Sequence, residues 1–285
     1  MPTRGYAVFR GVWWSANLLL LCSLAALVYS AGWEYSVRRY LDGFSDAIVP
    51  SSEPAERQAE AILAWMRGAS SRMVAANPAA LDTRNPETTL NYQQLLAVCG
   101  TATNAFLNLA RSNGVSARRL LLLSPERVTK HVVAEVLVDG RWVIADPAYR
   151  VLWRDANGRL LTREDLRNAA VFADATRAVP NYPKEYTYER FAHVRLARLP
   201  VVGVRLRGLL DKALPGWEER LDWTLLLERE SFLALCVSGL LFVFFLVLRI
   251  LLGWYADQRL KLPRFRLRSR VIQAGSTFFH APEIK

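Results

Sequence analysis

His131–Pro147 reads HVVAEVLVDGRWVIADP, and this stretch decides the fold. Two β-prone runs, His131 to Val138 and Arg141 to Asp146, flank Asp139-Gly140, a dipeptide suited to the positive φ angles of a two-residue type I′ turn. The turn sets the register. Pairing Val138 with Arg141 puts Asp146 opposite Val133, and residues of like parity share a face, so His131, Val133, Glu135 and Leu137 point with Trp142, Ile144 and Asp146. Asp146 is then diagonal to His131 across about 7 Å of backbone, a gap that side chains can close. A carboxylate beside an imidazole holds it in one tautomer and stabilises the imidazolium, so His131 reads as a general base and Asp146 as its orienting acid.

Working outward, Cys99–Gly114 reads CGTATNAFLNLARSNG. Ala102, Ala105, Phe106, Leu109 and Ala110 recur at helical spacing, and Gly114 stands where a helix ends. Cys99 therefore heads an amphipathic helix, where the positive end of the helix dipole favours the thiolate, the nucleophilic form. Gly100 beside it leaves room for a substrate. Each residue alone has a plainer reading: a core cysteine, a strand histidine, an Asp-Pro that starts a turn. The coincidence favours chemistry, because Cys99 is the only cysteine outside two long apolar runs and the hairpin register brings the acid to the histidine.

These residues resemble the core of the transglutaminase-like superfamily. The resemblance rests on a cysteine heading a helix, Gly114-Val115-x-Ala117-Arg118 leading into a strand, His131-x-x-x-Glu135-Val136, Gly140-x-Trp142 and Asp146-Pro147, and it spans roughly Asn91 to Tyr149. It implies an α+β, papain-like fold, a helix packed on an antiparallel sheet, in which Cys99, His131 and Asp146 form a catalytic Cys-His-Asp triad. The implied activity is that of a cysteine peptidase or amidase, or of a transamidase. Val133 stands where the family often has an aromatic, which alters the wall of the cleft. The backbone N–H of Cys99 is one oxyanion donor, and Gln93, six residues ahead of the cysteine, sits where papain-like enzymes place a glutamine. Gln93 and Gln94 read equally well as solvated loop residues. Glu135 supports the sheet face or ends in a salt bridge. No cofactor is implied, no phosphate loop or metal signature stands out, and no acidic loop offers oxygens for the calcium that some animal relatives need.

Two uncharged stretches bracket this core. Val12 to Trp33 and Ser231 to Leu248, the latter continuing past Arg249 to Trp254, are each long enough to cross a hydrocarbon layer of about 30 Å. Trp13, Trp14, Trp33, Trp254 and Tyr255 suit an interfacial belt. The net charge of +11 is unevenly spread: residues 231–285 hold eight basic and two acidic side chains, against 27 and 24 in residues 34–230. The basic residues Arg259, Lys261, Arg264, Arg266, Arg268 and Arg270 follow the second stretch closely. By the positive-inside tendency both termini are cytoplasmic, and the tail meets anionic lipid rather than nucleic acid. The first stretch reads as an uncleaved anchor rather than a signal peptide, given tryptophans at both its ends.

The expected organisation is a cytoplasmic arm at 1–11, a membrane helix at 12–33, an extracytoplasmic transglutaminase-like domain at 34–178, an amphipathic segment at 179–230 that could lie on the membrane, a second membrane helix at 231–254 and a basic cytoplasmic tail at 255–285. Within the domain, Pro54 to Ser71 reads as an amphipathic helix, Ala75 to Thr88 as loop, Arg118 to Leu123 as a strand and Thr162 to Asn168 as a short helix with a Thr162/Asp165 capping box. His193, with no acid at hairpin spacing, reads as structural, and His280 lies in the tail. These expectations add up to a two-pass plasma-membrane protein with a periplasmic domain. Its expected partner is a peptide or protein substrate of the cell envelope. The alternative is a non-catalytic scaffold that keeps the fold as a partner of envelope assembly, such as polysaccharide machinery.

Overall fold

The hairpin forms in the expected register. Asp139 and Gly140 take φ of +47° and +76°, and Val138 pairs with Arg141, Glu135 with Ile144 and Ala134 with Ala145. The structure is a computed structural model that describes residues 4–49, 52–68, 84–91, 94–194, 202–217 and 223–260. Its strands are β1 (Ala117–Leu123), β2 (Thr129–Val138), β3 (Arg141–Asp146), β4 (Val151–Leu152) and β5 (Phe191–Ala192). They form one antiparallel sheet in the order β4-β3-β2-β1-β5. The helices are α1 (Arg4–Ile48), α2 (Ala55–Arg67), α3 (Pro86–Thr89), α4 (Cys99–Ser112), α5 (Arg163–Leu166), α6 (Ala169–Thr176), α7 (Val202–Ala213), α8 (Thr224–Glu228) and α9 (Glu230–Gln258).

The described residues divide into two compact units, one made of those within Met1–Val28 and Val237–Lys285 and the other of those within Tyr29–Cys236. In the larger unit the period of two in β1, β2 and β3 feeds two separate cores. On one sheet face Ala117, Ala134, Val136, Val143 and Ala145 meet Val37 and Leu41 of α1, Ile62, Leu63 and Met66 of α2, and Phe106 and Leu109 of α4. On the other face Leu120, Leu122, Val133 and Ile144 pack against Trp153, Leu161, Leu166, Phe172, Tyr182 and Tyr188. Val133, read as part of a cleft wall, is instead fully buried in this second core.

The end of α4 shows why the sequence stops it there. Gly114, at φ +81°, bonds its N–H to Arg111 O at 3.1 Å, and Val115 N–H reaches Ala110 O at 2.9 Å. That is the two-bond C-terminal closure for which glycine is favoured. The polar side of α4 is buried as well. Asn108 Oδ1 accepts from Arg229 Nε at 3.1 Å, Arg229 Nη1 meets Glu34 Oε1 at 2.8 Å, and Ser231 Oγ donates to Glu34 Oε2 at 2.7 Å. Asn104 Nδ2 donates to Glu228 Oε2 at 3.1 Å, and Glu228 is paired with Arg119 at 2.6 Å.

Several elements depart from the sequence reading. Helix α1 continues beyond Trp33 to Ile48, because Val37, Leu41, Phe44 and Ile48 carry an apolar stripe into the core. Asn85-Pro86 opens a single helical turn rather than a loop: the Asn85 side chain caps Glu87 N–H and Pro86 occupies the first turn, where its missing donor costs nothing. The sheet does not end near residue 178, since β5 pairs Leu121 with Ala192 and Tyr182 and Tyr188 fill its second core. The Thr162/Asp165 capping box is present on α5. The rest of the 75–88 loop, Gln93, His280 and the tail from Lys261 lie outside the described residues.

In the smaller unit α1 and α9 run antiparallel. Phe9 meets Tyr255 at 6.2 Å between ring centroids, the Arg249 guanidinium lies 5.4 Å from the Trp13 ring centre, and Arg249 Nε donates to Asn17 Oδ1 at 2.6 Å. Both helices are long and apolar enough to cross a membrane, and only 11% of each apolar window is buried. Trp14, Leu18, Leu21, Leu240 and Phe244 are all exposed. A core helix of a water-soluble protein would hide such a surface.

Candidate active site

Three elements converge on the site. Val98, in extended conformation, precedes α4, so Cys99 is its first residue and its N–H has no acceptor within the helix. The Cys99 side chain is half-buried over Leu121, Leu123, Val132 and Ala192. Thr103, one turn further on, donates to Val132 O at 3.0 Å and so fixes the helix against the strand that carries the histidine. Beside His131 the pairing with β1 slips, Leu122 facing His131 but Leu123 facing Thr129, which leaves Lys130 as an extra residue. Such a bulge bends a strand and re-aims the neighbouring side chain.

His131 and Asp146 are both fully buried, and His131 Nε2 lies 2.8 Å from Asp146 Oδ2. The acid is firmly held: Oδ1 accepts the N–H groups of Ala148 and Tyr149 at 3.1 and 3.3 Å, and Oδ2 also accepts the Tyr182 hydroxyl at 3.0 Å. Because Asp146 occupies Nε2, the nitrogen open to the thiol is Nδ1, which makes no other hydrogen bond among the described residues. Catalytic contacts in an unliganded site are often longer than in the reacting complex.

The electrostatics favour the charged pair. Burial pushes the Cys99 thiol up, but the hydrogen-bonding capacity and charge of His131, together with the Val132 backbone N–H, outweigh it and leave the thiol below its ordinary value. Burial likewise pulls His131 down, but the charge and hydrogen bond of Asp146, aided by Cys99, raise the imidazole to about 9. Both shifts favour a thiolate beside an imidazolium over the neutral pair.

Other candidates fall elsewhere. Gln93 is outside the described residues, and the neighbouring Gln94 has a buried Oε1 with no partner among the described residues. Glu135 bonds Arg118 Nε at 2.6 Å and His193 Nε2 at 2.8 Å. His193 thus has an acid, supplied from β2 rather than from a neighbouring hairpin strand, and the cluster ties the segment after β5 to the sheet. Sequence reasoning missed the tyrosines. Tyr186 stacks on the imidazole with centroids 4.3 Å apart and planes 3° from parallel, while Tyr149 meets it edge-on at 5.8 Å. The signal was the aromatic density of Asn181–Tyr188, NYPKEYTY.

The fold and site define an α+β domain built around a cysteine-headed helix and a histidine–aspartate hairpin. Residues 42–147 match the family model of the transglutaminase-like superfamily core, and Cys99, His131 and Asp146 all fall inside the match. No curated protein and no solved structure matches the chain.

Proposed function

We propose that this protein is a membrane-anchored cysteine enzyme of acyl transfer. The observation that carries the reading is the buried His131–Asp146 hydrogen bond at 2.8 Å beside a thiol held below its ordinary value. In the proposed reaction Cys99 gives its proton to His131 Nδ1 and its sulfur attacks an amide or ester carbonyl carbon. As the C–N or C–O bond breaks, the imidazolium returns the proton to the departing amine or alcohol, leaving a thioester on Cys99. Water then resolves the thioester in a peptidase or amidase, and an amine does so in a transamidase. The Cys99 N–H, free of the helix, is the proposed oxyanion donor, with Gln93 as the second.

The antiparallel pairing of α1 and α9 supports the proposal that both termini share one side of the membrane. With six basic residues following α9 closely in sequence, that side is the cytoplasm and the domain is extracytoplasmic. The substrate class is then a peptide or protein of the cell envelope, and the tail binds anionic lipid. The exposed Leu209 and Leu214, on and just after α7, support a place for that helix on the membrane surface.

The test is labelling of the purified chain with an electrophilic peptide-amide probe at neutral pH. Cys99 should be modified, and His131→Ala should abolish the modification. If Cys99→Ala instead retains the full biological effect while Gly140→Val destroys it, the domain is a scaffold.

A further inference from the structure

We propose that Tyr186 is a positioning residue of the site: its ring, stacked face to face on His131, fixes the rotation of the imidazole so that Nδ1 addresses the Cys99 thiol, while the Tyr182 hydroxyl locks the carboxylate that holds the other nitrogen. The proposal rests on the reading of Cys99 and His131 as nucleophile and base.

A single hydrogen bond from Nε2 to Oδ2 fixes one point of the ring but leaves rotation about that bond. Two ring planes 3° from parallel, with centroids 4.3 Å apart, remove it. The carboxylate needs the same restraint, and four donors supply it. His131 and Tyr182 bond one oxygen, at 2.8 and 3.0 Å, and the N–H groups of Ala148 and Tyr149 bond the other. Burial pushes the Tyr182 phenol far up, so its hydroxyl stays a donor throughout the working range. The electron-rich face of Tyr186 also favours the imidazolium over the neutral ring.

The neighbouring tyrosine offers a contrast. Tyr188 is fully buried in the second core, whereas Tyr186 is only half-buried and has His131 as its stacking partner. Both lie beyond the family match, which ends at residue 147. This chain's own later segment therefore supplies the restraint.

The experiment needs no substrate. The full-length protein in detergent is treated with iodoacetamide across pH 5–10, and modification of Cys99 is followed by peptide mapping, which separates it from Cys22 and Cys236. Wild type should show a high-pH inflection from the imidazole. In Tyr186→Leu that inflection should fall by about one pH unit, and the rate at pH 7 should drop roughly three- to tenfold. Tyr186→Phe, which keeps the ring, should restore the wild-type profile. If Tyr186→Leu does not fold, Tyr186→Met carries the same test with a flexible side chain of similar reach. A Leu or Met profile identical to wild type, in a protein whose His131→Ala profile is altered, overturns the positioning role alone. A His131→Ala profile identical to wild type overturns the nucleophile–base reading and the positioning role with it.

Discussion

Replacing Asp146 by Asn tests the electrostatic logic of the site, because the side chain keeps its volume and loses only charge and one acceptor. Asp146 Oδ1 serves two backbone N–H groups, of Ala148 and Tyr149, which cannot move away. An asparagine has one oxygen, and those two donors claim it. Its NH2 then faces both His131 Nε2 and the Tyr182 hydroxyl, which must each turn acceptor, so the ring proton shifts to Nδ1, the wrong nitrogen for taking a proton from the thiol. The imidazole would fall from about 9 toward its ordinary 6.5. At pH 7 the imidazolium would drop from about a hundredfold excess to roughly a quarter of the molecules, and the thiol toward the few per cent ionised expected of an ordinary cysteine. Alkylation of Cys99 at pH 7 should slow by about ten- to thirtyfold and, on the proposed function, turnover by about a thousandfold or more, as for a base held in the wrong tautomer. Stability should change by only about 1–2 kcal/mol, whereas Asp146→Ala, which strands a buried partner, should cost about 3–5 kcal/mol. The assays are alkylation by mass spectrometry and thermal unfolding. A wild-type alkylation rate in Asp146→Asn would refute the reasoning, since it would mean that the oxygen faces His131 and the negative charge is dispensable.

The imidazole also links stability to pH. Its folded value lies above the unfolded one, so its contribution is whole below about 6.5 and is lost as pH rises through the folded value. In Cys99→Ala, which removes the thiol's opposite dependence, stability should fall by about 1–3 kcal/mol between pH 6.5 and 9, and adding His131→Gln should flatten the slope. Arg229→Met leaves the buried Glu34 without its cation and should cost about 3–5 kcal/mol, part of which Glu34→Gln should restore, as read by denaturant unfolding. A reporter fused after Lys285 should behave as cytoplasmic and one inserted near Asn157 as exported; an exported C-terminal reporter would overturn the orientation.

What could be read from residues alone was local. Asp139-Gly140 dictates the hairpin register, and register fixes parity, so the approach of Asp146 to His131 follows from the sequence itself. The span and closure of α4 were equally accessible, because apolar spacing and Gly114 act within a few residues. What escaped depended on distant partners. The two-residue strands β4 and β5 are too short to carry an alternating pattern, and they exist because β3 and β1 offer edges to pair with. The extension of α1 past Trp33 was written in Val37, Leu41 and Phe44, but a stripe with charged residues between does not look like a membrane span. Glu135 was recognised as a support, and only packing identifies His193 as its partner.

The hairpin has a consequence for assembly. His131 and Asp146 are joined by a turn that closes on a timescale of about 1–10 µs, with no need of remote sequence. The tyrosines that cover the imidazole come about 40 residues later, which at 5–20 residues per second means a delay of roughly 2–8 s in a chain made from its N-terminus. The histidine and the aspartate are both synthesised before the tyrosines that cover them. Until Tyr182 and Tyr186 arrive, a nascent chain lacks the cover that these two rings give the imidazole in the folded domain.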